Sequence, residues 1–159
     1  MSEPSSSSVF TNSSQGAPVG PPLIGALLRR PLETVRRHML DRLHEHGFTD
    51  LEPSHLIVVQ YQGPQGMRPS DLAARLQISK QALNYLLGQL ERLGYLERRP
   101  DPDDMRSKRI VLTARAESAI PVIRGAVAEV ETAWGHLLGP ERFAQLRELL
   151  AELNGLIPD

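Results

Sequence analysis

Between Ser70 and Leu93 the chain has room for two helices and almost nothing to separate them. The first pattern, Asp71–Leu76, carries Leu72, Ala73 and Leu76 as a small apolar face, with Ser70 where a capping hydroxyl is wanted. The second runs from Lys80 to about Leu93. It places Leu83, Leu86, Leu87, Leu90 and Leu93 at helical spacing and has Ser79 as its cap. Only Gln77 and Ile78 join the two. So short a turn holds the helices in contact at a steep angle, which is the helix-turn-helix plan. Gly94 closes the second helix, in the left-handed position that suits glycine.

Past Gly94 the apolar period drops from about 3.6 to 2. Tyr95–Arg99 and Arg109–Thr113 read as two short strands. The stretch between them, PDPDDMRSK, predicts an exposed hairpin tip, because its prolines and aspartates favour turns and resist pairing.

The flanks are helical. Pro21 and Pro22 precede, and Gly47 follows, a helix over about Leu23–His46, whose stripe is Leu28, Leu32, Val35, Met39 and Leu43. Pro31 should kink or restart it, since its ring removes a donor and crowds the preceding turn. A second helix is expected over Pro53–Tyr61, then loop punctuation over Gly63–Pro69. After the hairpin, Thr113 caps a long helix to about Leu138. Its seam is Ile120, Ile123, Val127, Val130, Trp134 and Leu137, with a kink expected at Pro121. Gly139-Pro140 breaks the chain before a last helix with Phe143, Leu146, Leu150, Leu153 and Ile157 on one side. Such seams can pack on their own subunit's core; their spacing favours a symmetric pair of chains.

On the second helix of the tandem, burying the leucines turns Lys80, Gln81, Asn84, Tyr85 and Gly88 outward. Gln and Asn can pair with adenine, and Lys with guanine or phosphate. Ser70 and Ser79 stand at helix N-termini, where backbone N–H groups attract phosphate. The hairpin adds Arg98, Arg99, Arg106, Lys108 and Arg109. From Arg68 to Arg109 there are nine Lys or Arg against six Asp or Glu, although the whole chain carries a net −1. Positive charge is thus sorted toward one region. A solvated face of an ordinary helical domain would show a similar pattern. So would a winged-helix module that binds protein without reading DNA, but that would expose large apolar residues instead.

Other functions find little support in the chain. There is no cysteine, which excludes disulfides, thiolate metal sites, a cysteine nucleophile and a thiol redox sensor. The five histidines, His38, His44, His46, His55 and His136, show no metal-ligand spacing, and no cofactor is expected. No phosphate-binding glycine loop or nucleophile elbow occurs, so the chain does not read as an enzyme. No apolar run is long enough to span a membrane and no secretory leader is visible, so a cytoplasmic protein with no membrane partner is expected.

The stretch SDLAARLQISKQALNYLLGQLERLGYLERRPDPDDMRSKRIVLT, Ser70–Thr113, resembles the winged helix-turn-helix core of the MarR family of bacterial transcriptional regulators. The wing motif, Asp104-x-Arg106 before an apolar strand ending in Leu-Thr, and the preceding ERLGYLERR carry the likeness. More loosely it extends over residues 22–157, where LGPERFAQLRELL is also family-like. The resemblance implies a mainly α fold with a small β-hairpin wing. A Ser-rich tail, 1–20, would be disordered, and a single MarR-like domain would fill 21–159. Within it the winged core would span about 53–113, and dimerisation helices about 22–46 and 114–157. The implied molecule is a homodimeric repressor on a pseudo-palindromic double-stranded operator. Its DNA-binding set would be Ser70, Ser79, Lys80, Gln81, Asn84, Tyr85, Arg98, Arg106 and Lys108. Arg106 would enter the minor groove, oriented by Asp104. A small aromatic or lipophilic effector would sit in a cleft walled by Met39, Arg42, His46, His55 and Tyr61.

Overall fold

The computed structural model describes residues 21–60 and 66–157. The Ser-rich tail and Tyr61 lie outside them. In chain order the elements are α1 (Ile24–Glu45), α2 (Pro53–Val59), α3 (Pro69–Leu76), α4 (Lys80–Arg92), β1 (Leu96–Asp101), β2 (Asp104–Leu112), α5 (Ala114–Leu138) and α6 (Pro140–Leu156). The fold is mainly helical with a two-stranded antiparallel wing. α3 lies on α4, α2 supports α4, and α5 packs between α1 and α6.

The helix-turn-helix forms where the spacing predicts it, with one change at its start. Arg68, not Ser70, is the N-cap of α3, and Pro69 takes the first helical position. Proline's fixed φ suits that position and it has no N–H to leave unpaired. Ser70 therefore lies inside the helix, and its hydroxyl donates to Asp71 Oδ1 at 3.0 Å. Gln77, at φ 52°, turns the chain through the left-handed region, and the Ile78 N–H then reaches the Ala73 carbonyl at 3.2 Å. Ser79 does cap α4, accepting from the Ala82 N–H at 3.1 Å. Gly94 closes α4 at φ 78°, which lets the Tyr95 N–H reach Leu90 O at 2.9 Å.

The core gathers Leu72 from α3, Leu83, Leu87 and Leu90 from α4, and Leu56, Val58 and Val59 from α2. Tyr95, Ile110 and Leu43 complete its centre. Each such side chain contributes about 1.5–3 kcal/mol by leaving water. Strand pairing reaches further than the sequence suggests: Leu96 faces Leu112 and pairing continues to Pro100 opposite Lys108. It then slips, so that Asp101 faces Asp104 and residues 105–107 bulge out of the ladder. Met67 bridges the other side of β2, exchanging hydrogen bonds with Ile110 at 3.0 and 2.8 Å. Gly66 makes that approach possible, because a Cβ there would sit 2.4 Å from the Ile110 carbonyl oxygen.

Neither internal proline breaks its helix. α1 runs on through Pro31 and α5 through Pro121. Proline leaves the carbonyl four residues earlier without its helical donor; around Pro31 the chain is exposed, so water can serve it. The seam expected on α5 is only partly its inward face. The buried stripe is Ala116, Ala119, Ile123, Ala126 and Val130. Leu137 is 81% exposed, and Trp134 meets Phe143 edge-to-face at 6.5 Å. α6 buries no residue.

Candidate nucleic-acid interface

α4 divides cleanly. Leu83, Leu86, Leu87 and Leu90 face the core, while Lys80, Gln81, Asn84 and Tyr85 are exposed. Nothing lies within 4 Å of where a Gly88 Cβ would be, so the face is open there. One helical surface therefore offers an ammonium, two amides and a phenol, beginning at a capped N-terminus. That is donor and acceptor chemistry suited to base edges and phosphates. Ser70 is exposed near the start of α3.

The wing tip is built around a carboxylate that the sequence pattern hid. Asp101, expected on an exposed turn, has no solvent exposure. Its Oδ2 accepts from Arg68 Nε at 2.5 Å, its Oδ1 lies 3.1 Å from Arg109 Nε and accepts from the Asp103 N–H at 3.0 Å. Ser107 Oγ closes the set at 3.5 Å from Oδ2. Arg68's hydrogen bond, helped by the Asp103 N–H and by Arg109, outweighs the cost of burial and holds the Asp101 carboxyl down at about 2. The reason it is buried is register: pairing to Pro100 brings residue 101 beneath the bulge, facing the start of α3. Arg68, at the N-cap of α3, thereby ties the wing to the helix-turn-helix.

Around this anchor the bulge arranges its own groups. Asp104 Oδ1 accepts from the backbone N–H of Arg106 at 3.0 Å, so Asp104 orients the Arg106 backbone and not its guanidinium. Asp103 pairs with Arg109 at 2.9 Å. Among the described residues Arg106, Lys108 and Lys80 take part in no ion pair, and all three are exposed. Arg98 differs: its Nε lies 2.8 Å from Glu91 of α4, which partly neutralises it.

A second cluster, built on the buried Tyr95 with the half-buried Asp50 and the exposed Arg115, links the lobe to α5. The Tyr95 hydroxyl donates to Asp50 Oδ1 at 2.6 Å, and the Arg115 guanidinium sits 4.4 Å above its ring and 2.9 Å from Asp50. Burial, then the Asp50 hydrogen bond, pushes the Tyr95 hydroxyl well above the usual phenol range. Burial alone would raise Asp50, but the hydrogen bond from Tyr95 and the charge of Arg115 outweigh it and lower its carboxyl. Sequence reasoning missed Arg68, Asp101, Asp50 and Arg115, since each partner is remote in sequence. No local signal singled out Asp101: strand alternation from the buried Leu96 puts residue 101 on the opposite, outer face, and the observed burial does not alternate.

Of the described residues expected to wall an effector cleft, Met39 and His55 are packed in the interior, while Arg42 and His46 border one cavity. Met39 is buried, its Sδ accepting from Gln60 Nε2 at 3.1 Å, and His55 is buried against α4. Arg42 and His46 border a cavity of about 260 Å³ with Pro121, Val122 and Glu129. No helix among the described residues is long and apolar enough to cross a membrane.

A capped helix with a polar outer face, a tight left-handed turn before it and a basic hairpin beside it define a winged helix-turn-helix fold. Residues 46–107 match the model of the MarR family. The HTH-type transcriptional regulator YkoM of Bacillus subtilis is 31% identical over 94 residues, 59% of this chain and 60% of that protein, so the match spans three-fifths of this relative's length. The transcriptional regulator PA4135 superposes with a TM-score of 0.67 at 25% identity, over 87% of this chain and all of that one. The transcriptional repressor CouR of Rhodococcus jostii, in its structure with a 23-mer DNA duplex, superposes at 0.63 and 24% identity over 83% of this chain and 92% of that one. Over residues 46–107 the chain is thus similar to the MarR family of transcriptional regulators, and its fold is that of a winged helix-turn-helix protein.

Proposed function

We propose that the chain works as a homodimeric repressor of a pseudo-palindromic DNA site. The observation that carries this reading is the exposed Lys80, Gln81, Asn84 and Tyr85 set over an inner face of four buried leucines, beside the wing arginine Arg106, which among the described residues takes part in no ion pair. α4 enters the major groove, where Gln81 and Asn84 read base edges and Lys80 meets guanine or phosphate. Arg106 and Lys108 act on the minor groove and its phosphates, where narrow-groove potential favours a guanidinium. Ser70 and Ser79 serve phosphates at the helix starts. Arg98, shared with Glu91, contributes least. CouR, a repressor in complex with duplex DNA, supports the reading through its fold.

Dimerisation is supported by apolar surface that one copy leaves uncovered: Leu27, Leu28 and Leu32 on α1 and Leu146, Leu149, Leu150 and Leu153 on α6. A two-fold pairing buries it and spaces two copies of α4 about 34–36 Å apart, one turn of DNA. An effector would relieve repression by altering lobe separation. The cavity beside Arg42 and His46, between α1 and α5, is where we place it. Selection from a random duplex pool, followed by footprinting, tests the function. A two-fold site protected over two half-sites is expected. Failure to enrich any sequence, with retention of a protein partner in its place, would favour an interaction module.

A further inference from the structure

The hydrogen bonds behind α4 have a fixed direction, and it can be worked out from one backbone group. His55, the third residue of α2, is 2% exposed. Its Nδ1 lies 3.1 Å from the backbone nitrogen of Glu52. A peptide N–H can only donate, so Nδ1 must be the bare ring nitrogen and the proton must sit on Nε2. Nε2 lies 3.3 Å from Gln89, whose facing atom must therefore be the carbonyl Oε1. That orients the amide, and its NH2 lies 3.3 Å from the Tyr85 hydroxyl. An amide NH2 can only donate, so the phenol oxygen accepts from it. The Tyr85 proton is turned away from Gln89. Tyr85 is 66% exposed, beside Asn84 and Gln81 on the outer face.

We infer that Tyr85 is an obligate hydrogen-bond donor toward an acceptor on DNA, and that His55 and Gln89 are positioning residues that aim its proton there. The inference rests on the DNA-reading function proposed above. Its physical content is polarity: an unsupported tyrosine hydroxyl can donate or accept, whereas one already accepting from Gln89 presents its proton outward. Gln89→Glu reverses the polarity. A carboxylate only accepts, so it keeps the bond from His55 Nε2 and draws the Tyr85 proton inward.

The test is a double-mutant cycle on the selected operator, with melting curves to check folding. Tyr85→Phe should weaken wild-type binding by about 3–10-fold, the range of one neutral hydrogen bond. In the Gln89→Glu background the same change should alter binding by less than about twofold, because the proton no longer faces DNA. A cost confined to the operator places the acceptor on a base edge, and an equal cost on scrambled duplex places it on a phosphate. Nitrogen NMR of the free protein supplies a readout independent of DNA: His55 should be neutral with its proton on Nε2. A proton on Nδ1, or an equal Tyr85→Phe cost in both backgrounds, would overturn the relay. A wild-type protein that enriches no duplex overturns the function and the donor role together, while the tautomer still judges the relay.

Discussion

The winged lobe and the terminal helices handle the same residue type in opposite ways. α4 carries five leucines if its C-cap Leu93 is included, and the four on its inner face are all buried. α6 also carries five, Leu146, Leu149, Leu150, Leu153 and Leu156, and buries none. Helix periodicity cannot distinguish the two, because both offer an apolar stripe. What differs is the neighbourhood. α4 is enclosed by α2, α3 and the wing, whereas among the described elements α6 packs chiefly on α5. Soluble chains seldom leave a contiguous apolar face uncovered unless a partner covers it. The lobe is therefore packed within one copy, and the helical arm is complete only in the pair we propose.

Perturbing each region in turn should break this contrast. Leu87→Ala, in the lobe, should cost about 2–5 kcal/mol through lost transfer energy and a cavity, read as a lower thermal midpoint at every protein concentration. Leu150→Asp, in the arm, should cost about 3 kcal/mol of dimer stability, since a two-fold interface counts each lost leucine twice. Sedimentation should show a monomer at micromolar concentration and the midpoint should lose its concentration dependence. A monomeric wild type would refute the arm's role.

Smaller effects separate the two parts of the lobe that we propose to face DNA. Gln81→Ala or Asn84→Ala should cost about 1–3 kcal/mol on the operator and relax preference at one or two positions per half-site. Arg106→Ala should weaken operator and scrambled duplex alike and lower the salt slope by about one unit. Binding isotherms at several salt concentrations check both. Asp101 gives the wing an acid limit. Its carboxyl is held down at about 2 in the fold against an ordinary 3.8, so its support is complete above about pH 4 and is lost as pH falls toward 2. Wing amide exchange should accelerate through that window, and Asp101→Asn should abolish the pH response while loosening the wing at neutral pH. Smallest of all, Ser79→Ala should cost about 1 kcal/mol as a lost cap, and Ser70→Ala, which removes no cap, under about 0.5 kcal/mol.

Much of the lobe is legible in linear order because its determinants are local. The Ser79 cap, the left-handed Gly94 and the leucine spacing of α4 each involve residues within a turn or two of one another, and all stand as the pattern requires. Position-by-position reading failed at one local contest and wherever a remote group decided. Pro69 displaced Ser70 as the opening of α3, a local contest that proline's fixed geometry wins. Asp101 looked like one more turn aspartate because Arg68, 33 positions away, is what makes its burial tolerable. His55 read as a cleft wall residue, yet it is held by Glu52 and Gln89 behind α4.

By itself the sequence determined the type and order of the elements, the two faces of α4 and the absence of thiol chemistry, because capping, periodicity and composition act over short distances or over none. The tertiary structure alone decided which apolar stripes find a neighbour within one copy. It also decided which of several aspartates is buried, and which way the hydrogen bonds behind Tyr85 run. Those outcomes depend on long-range pairing, where a buried charge or a directed donor is acceptable only once its distant partner has arrived.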